Sequence, residues 1–289
     1  MTLIATCTTH EYIVQVSDRR LTWPNGSVAD DTANKAVAFL YDTVFAYTGI
    51  AQMGDEKTDQ WLAGILKANF SLEDAIQTIK EKATERVKSL PYANKRLAII
   101  GACWASEKEI GPHMPIIVLI SNFHDNKGVI LNTTQKTFSR VNITLKPSKP
   151  FGYYFTGQLL PSQDLKKLGR NIKRAIEKSP FKSKKVDALT MRKFTVEAVR
   201  EVARKNYHVG KNIMLTIIPN RQIPEHSNKP TSFYYFPEDK TDPVSYSPIL
   251  VSRKAIFSHI KLRNLKEGEF DKIKEQIKKG KKNGFVSKD

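Results

Sequence analysis

Residues 2–22 read Thr2-Leu3-Ile4-Ala5-Thr6-Cys7-Thr8-Thr9-His10-Glu11-Tyr12-Ile13-Val14-Gln15-Val16-Ser17-Asp18-Arg19-Arg20-Leu21-Thr22. β-branched residues crowd both halves and a polar break falls at His10, so the stretch reads as two short strands, 2–8 and 11–17, joined by a turn. The residue behind Met1 is Thr2. A small second residue permits removal of the initiator, leaving Thr2 with a hydroxyl and a free α-amine. That pair suffices for nucleophilic catalysis, because an amine with a pKa of about 7.7–8.0 accepts the hydroxyl proton at neutral pH.

Asp18 ends the second strand and Lys35 opens the next one. A lysine ammonium beside Thr2 lowers the pKa of both its amine and its hydroxyl, since a nearby cation disfavours protonation. Asp18 would hold that lysine in place. Gly49 closes the strand Tyr47-Thr48-Gly49-Ile50-Ala51, where its bare backbone N–H could meet a tetrahedral oxyanion.

Around this nucleus the pattern predicts a hairpin of strands 35–40 and 43–48, turning at Tyr41-Asp42, and a turn at Asn25-Gly26. Asp55 is expected to cap a helix through Trp61, Leu62, Ile65 and Leu66. Ser71 caps a second helix whose apolar residues from Leu72 to Val87 follow the helical period, and Pro91 ends it. Strands follow at 96–104, 115–122, 128–131, 136–145 and 152–156. The first two are nearly continuous apolar runs, which implies burial on both faces. Helices at 162–178 and 187–205, the latter with Phe194, Ala198 and Val202 inward, precede a strand at 212–218. The class is α+β, and a pair of sheets between helix layers is the economical packing of that order.

Composition bounds the function. The chain has 289 residues, and an apolar share of 40% excludes wholesale disorder. Two cysteines, Cys7 and Cys103, exclude a disulfide framework or a cysteine zinc site and point to a reducing, cytoplasmic compartment. Both lie on apolar strands and read as small buried hydrophobes. No run approaches the roughly 18 apolar residues of a membrane span. The N-terminus lacks a basic leader, so it reads as the start of a folded domain rather than a secretory signal.

The charge of +18 is concentrated: residues 161–211 carry 15 basic against 5 acidic residues, and residues 252–289 carry 12 against 5. Solvated helix faces explain this more simply than nucleic-acid binding, since no aromatic residues interleave with the charges. After Pro219, five prolines between 220 and 250 and the run Tyr234-Tyr235-Phe236 suggest an irregular aromatic arm. Residues 262–279 suggest a basic helix, and residues 278–289 a frayed tail. His10 reads as a solvent-facing turn residue, and His113, His124, His226 and His259 have no metal-ligand spacing. Trp23, Trp61 and Trp104 read as core or interface anchors. Gly210-Lys211-Asn212 is not a phosphate loop, because the upstream glycine and the following hydroxyl are missing.

Taken together, Thr2-Leu3-Ile4-Ala5, Ser17-Asp18-Arg19-Arg20-Leu21-Thr22, Lys35 and Ala46-Tyr47-Thr48-Gly49-Ile50-Ala51 resemble the proteasome β-subunits and the bacterial HslV peptidase, within the N-terminal nucleophile hydrolases. The resemblance covers about residues 2–219, which it treats as one domain, with 220–289 as an appended arm and basic tail. It implies a four-layer αββα sandwich and a threonine peptidase or amidase that needs no cofactor. Its catalytic set would be Thr2, Asp18, Lys35 and Gly49. Leu21, Thr22, Tyr47 and Ala51 would line the substrate pocket with Ala33, and Tyr47 at its floor would favour small or polar side chains. The resemblance also implies a homo-oligomer with an ATPase as candidate partner; the two basic segments add an acidic protein as a candidate, and the lack of a long apolar run argues against a membrane.

Two departures keep an alternative open. Thr156-Gly157-Gln158 stands where the family has Gly-Ser-Gly, and Lys205-Asn206-Tyr207-His208-Val209-Gly210 lacks the family's Asp-x-x-Ser-Gly. Either His208 or Asn206 would substitute there by hydrogen bonding, or the chain is a catalytically impaired, ring-forming homologue that binds an acidic partner or nucleic acid.

Overall fold

The computed structural model describes residues 2–23, 27–40, 42–105, 114–144, 151–157, 169–171, 188–238, 244–245, 248–252 and 255–257. The chain opens with β1 (Leu3–Thr9) and β2 (Tyr12–Asp18). Between them the Thr9 hydroxyl accepts from the N–H of Glu11 at 3.2 Å and of Tyr12 at 3.0 Å, which is how a threonine closes so tight a turn. A short pair, β3 (Leu21–Thr22) and β4 (Val28–Asp30), leads to the hairpin β5 (Ala36–Phe39) and β6 (Thr43–Gly49).

A second short pair, β7 (Gln52–Met53) and β8 (Glu56–Lys57), precedes α1 (Thr58–Ala68). Asp55 is therefore not the helix cap: it sits in the β7–β8 turn, and Lys57 precedes the helix. Thr58 instead ties the helix start to the β6 exit, through N–H to Ala51 O at 3.0 Å and hydroxyl to Ile50 O at 2.8 Å. Ser71 does cap α2 (Leu72–Ser89), its hydroxyl accepting from Asp74 N at 3.1 Å.

Next come β9 (Leu97–Ala105), β10 (Met114–Ser121), β11 (Ser139–Thr144), β12 (Phe151–Gly157), α3 (Ala188–Lys205) and β13 (Ile213–Pro219). The strand expected at 128–131 is instead a loop with one bridge, His124 to Ile130. Its hydrophobic run is too short, and Asp125 folds it into a turn by accepting from the N–H of Lys127 and Val129, each at 2.8 Å.

The strands form two large sheets. One has the order β12-β1-β2-β13 and continues through β14 (Ser232–Phe236) and β15 (Val244–Ser245). The other runs β11-β10-β9-β6-β5 and continues through β16 (Ile249–Ser252) and β17 (Ala255–Phe257). The segment after Pro219 is thus not an irregular arm. β14 pairs antiparallel with β13, and β16 lies parallel to β5, so both sheet edges are lengthened. Pro224, Pro230 and Pro237 fall outside these strands and Pro248 just before β16, where no ladder bond is lost.

Alternation along the strands explains their burial on both faces. On β1, Leu3, Ala5 and Cys7 pack with Val199 and Val202 of α3, while Ile4 packs with Ala46, Ala98 and Ile100 of the other sheet. Ile13, Met214 and Ile218 meet Ala36, Ala38 and Val44 in a second cluster between the sheets. Beyond the second sheet, Phe39, Phe45 and Ile99 pack with Leu62, Leu66, Ile76 and Ile79 of α1 and α2. On α3 the buried face runs through Met191, Val196, Ala198, Val199 and Val202, leaving Phe194 only half-buried. Trp61 is buried and Trp104 half-buried, but Trp23 is 59% exposed and anchors no core.

The expected turn at Asn25-Gly26, residue Tyr41, residue Gln158, the basic helix at 262–279 and the tail lie outside the described residues. So does most of the helix expected at 162–178, of which only 169–171 are described. No helix among the described residues is long and apolar enough to cross a membrane.

Candidate active site

Thr2, Asp18 and Lys35 enter from three segments and meet where β1 begins, β2 ends and β5 begins. Asp18 and Lys35 are fully buried and Thr2 is 3% exposed. The Asp18 carboxylate accepts four bonds. Oδ2 takes the N–H of Leu3 at 2.7 Å, and Oδ1 takes Arg20 N at 2.9 Å, Gly210 N at 3.2 Å and Lys35 Nζ at 3.4 Å. Oδ1 is shared among three donors while Oδ2 meets one, and accepting four N–H groups without donating any suits an ionised carboxylate.

Lys35 Nζ also donates to Thr2 Oγ1 and to the carbonyl of Arg20. Its three N–H groups therefore have three acceptors, which suits an ammonium. Burial pushes the Lys35 amine below the ordinary lysine range, and the neighbouring Asp18 charge and hydrogen bond oppose that shift. Because Lys35 donates to Oγ1, the hydroxyl proton of Thr2 stays free to leave toward another acceptor.

Arg20 contributes its backbone to the site while its side chain faces outward. Its guanidinium grips Asp31 at 2.7 and 3.0 Å, donates to Tyr207 O at 2.6 Å and stacks over the Tyr207 ring at 5.2 Å. That clamp brings the loop after α3 against β2. Within the loop, Asn206 O accepts from Val209 N at 3.0 Å and Asn206 Oδ1 from His208 N at 3.0 Å, so the chain turns and delivers Gly210 N–H to Asp18. Asn206 thus acts on the site through the turn it shapes.

The Thr2 carbonyl is held from two sides. Thr48 Oγ1 donates to it at 2.8 Å. Gly157 lies so close that a Cβ there would stand 1.8 Å from Thr2 O, and its φ of +111° belongs to the region that favours glycine. Gly49, next to Thr48, has φ of +102° and lies against the Arg96 carbonyl, which a Cβ would meet at 2.0 Å.

A cavity of about 630 Å³ opens beside this cluster. Leu21, Ala33, Tyr47 and Ala51 line it, with Asp30 and Asp59 adding carboxylates; Thr22 is not on its wall. The wall reaches Asn34, the neighbour of Lys35, whose carbonyl accepts from the Tyr47 hydroxyl at 3.3 Å. Thr2 and Lys35 themselves are not on the wall.

Sequence reasoning missed Gly210 as a donor to Asp18, Thr48 as a donor to Thr2, and the carbonyl of Arg20. Two of these act through the backbone, which every residue type supplies, so no residue signal marks them. Cys7 and Cys103 are buried as expected, and burial raises their thiols to about 11 and about 12. Among the described residues no cluster of His, Cys, Asp and Glu is arranged to hold a metal ion.

No known protein-family model matches the chain, and no curated protein matches it significantly.

Proposed function

We propose that the chain is a threonine-type N-terminal nucleophile hydrolase that cleaves peptide or amide bonds, built as a four-layer αββα sandwich like a proteasome subunit. The packing of α3, the two sheets, and α1 with α2 supports the architecture. One observation carries the activity: a lysine that is fully buried with its carboxylate partner donates to the hydroxyl of the second residue. Burying such a pair costs several kcal/mol of desolvation, on the order of what its attraction returns, so it makes a poor stabilising device and a good functional one.

Removal of Met1 would free the Thr2 amine. That amine takes the Oγ1 proton as Oγ1 attacks the substrate carbonyl carbon, and the Gly49 N–H receives the developing oxyanion. The protonated amine then gives its proton to the leaving amine. An ester between Thr2 and the acyl group remains, and water activated by the same amine hydrolyses it. The Lys35 ammonium keeps the amine's pKa low enough to act as a base at neutral pH, and Asp18 keeps Lys35 in position.

The test is intact mass followed by reaction with a peptidyl β-lactone, which acylates an N-terminal threonine. The expected result is loss of the Met1 mass and one acyl adduct on the wild type, with none on Thr2→Ala. A retained Met1, or equal labelling of both proteins, sinks the assignment and leaves the non-catalytic, acidic-partner reading.

A further inference from the structure

Beneath Thr2 runs a chain of buried polar side chains that the catalytic set does not use. His124 is fully buried. Its Nδ1 lies 2.7 Å from Ser121 Oγ and its Nε2 lies 2.8 Å from Thr156 Oγ1. Two residues before Thr156 on the same strand, the Tyr154 hydroxyl donates to the Gly128 carbonyl at 3.0 Å. At the other end Phe123 N–H donates to Ser121 Oγ at 3.1 Å.

Burial pushes the imidazole down to about 4, so at neutral pH the ring is uncharged and carries one N–H and one acceptor nitrogen. A hydroxyl both donates and accepts, so Ser121 and Thr156 together satisfy the two ring nitrogens.

The chain joins the two sheets. Ser121 ends β10 and His124 follows in the next loop, while Thr156 lies on β12 of the other sheet. Thr156 pairs with Ile4, and Gly157 pairs with Leu3 and abuts the Thr2 carbonyl. The imidazole therefore spans from the second sheet to the strand end against which Thr2 rests.

We infer that His124 is a positioning residue for Thr2, its neutral ring fixing the end of β12 so that Gly157 and Thr48 hold the Thr2 carbonyl in register with Lys35. The inference rests on the hydrolase reading. The ring touches neither substrate nor nucleophile and acts through Thr156 and Gly157.

The experiment measures β-lactone acylation of Thr2 in wild type, His124→Gln, His124→Leu and Thr156→Val, separating the maximal rate from half-saturation and recording thermal midpoints. Gln offers one acceptor and one donor at the same separation, so H124Q is expected to stay within about threefold of wild type. H124L and T156V are expected to lose roughly 10-fold to 100-fold in maximal rate with half-saturation unchanged, as befits a misplaced nucleophile. Wild-type rates in H124L or T156V overturn the inference, as does an H124Q as slow as H124L. Should H124L fail to fold, T156V against H124Q decides alone. An unlabelled wild type sinks the hydrolase reading instead, and the two failures stay distinct.

Discussion

Gly210 N–H donates to Asp18 Oδ1 at 3.2 Å across 192 positions of sequence. The loop after α3 thereby completes the carboxylate that holds Lys35, and the last core helix becomes part of the site. Oδ1 thus serves Arg20, Lys35 and Gly210 at once, so the placement of the carboxylate depends on all three.

Removing either member of the Asp18–Lys35 pair should therefore be costly. Lys35→Met leaves a buried carboxylate without its cation, and Asp18→Asn turns an amide N–H₂ toward backbone donors. Each is expected to destabilise the fold by about 3–5 kcal/mol, because an unpaired charge or donor is stranded in the interior. Urea denaturation checks this. A loss well below 1 kcal/mol for Lys35→Met would mean that the pair is hydrated.

Gly157→Ala should perturb the same place by another route. A Cβ cannot stand 1.8 Å from Thr2 O, and the backbone angle is itself unfavourable for alanine. The expected outcome is a loss of about 2 kcal/mol or more together with loss of Thr2 acylation. Calorimetry and labelling on the same sample separate the two effects.

Stability should fall in mild acid because of His124. Burial depresses its imidazole to about 4, with Asp125 raising it and Arg96 lowering it as the nearby charges. The unfolded chain binds that proton at about 6.5, so the unfolded state holds more protons between pH 6.5 and 4. Stability is thus complete above about pH 6.5 and declines as pH falls toward 4, by about 3 kcal/mol for this group alone. Urea midpoints of wild type and H124Q across that range give the measurement, and H124Q should lose the dependence.

Both thiols should be inert in the folded protein. With Cys7 raised to about 11 and Cys103 to about 12, almost no thiolate exists at pH 8, and neither sulfur meets solvent. Mass spectrometry after iodoacetamide should show no adduct on native protein and two after denaturation. Fast native alkylation would place a thiol at the surface.

Much of this arrangement is legible in the sequence. Alternating and continuous apolar runs located most core strands to within a residue or two, with β11 starting three residues later than its run implied, because burial pattern is a local property of the chain. Ser71 announced its helix for the same reason, since its partner is three residues away. The segment after Pro219 was not legible in this way. β14 and β16 are short, and they become strands by pairing with β13 and β5, so their conformation comes from distant neighbours.

For the site, residue chemistry and order were enough to single out Thr2, Asp18 and Lys35, because a nucleophile, a cation and its counter-charge are recognisable by type. Tertiary structure alone decided that they touch, that Gly210, Arg20 and Thr48 complete them through backbone and hydroxyl, and that His124 lies beneath them. Those contacts join residues far apart along the chain, and their strength depends on exclusion of water, a property of the packed interior that no single segment carries.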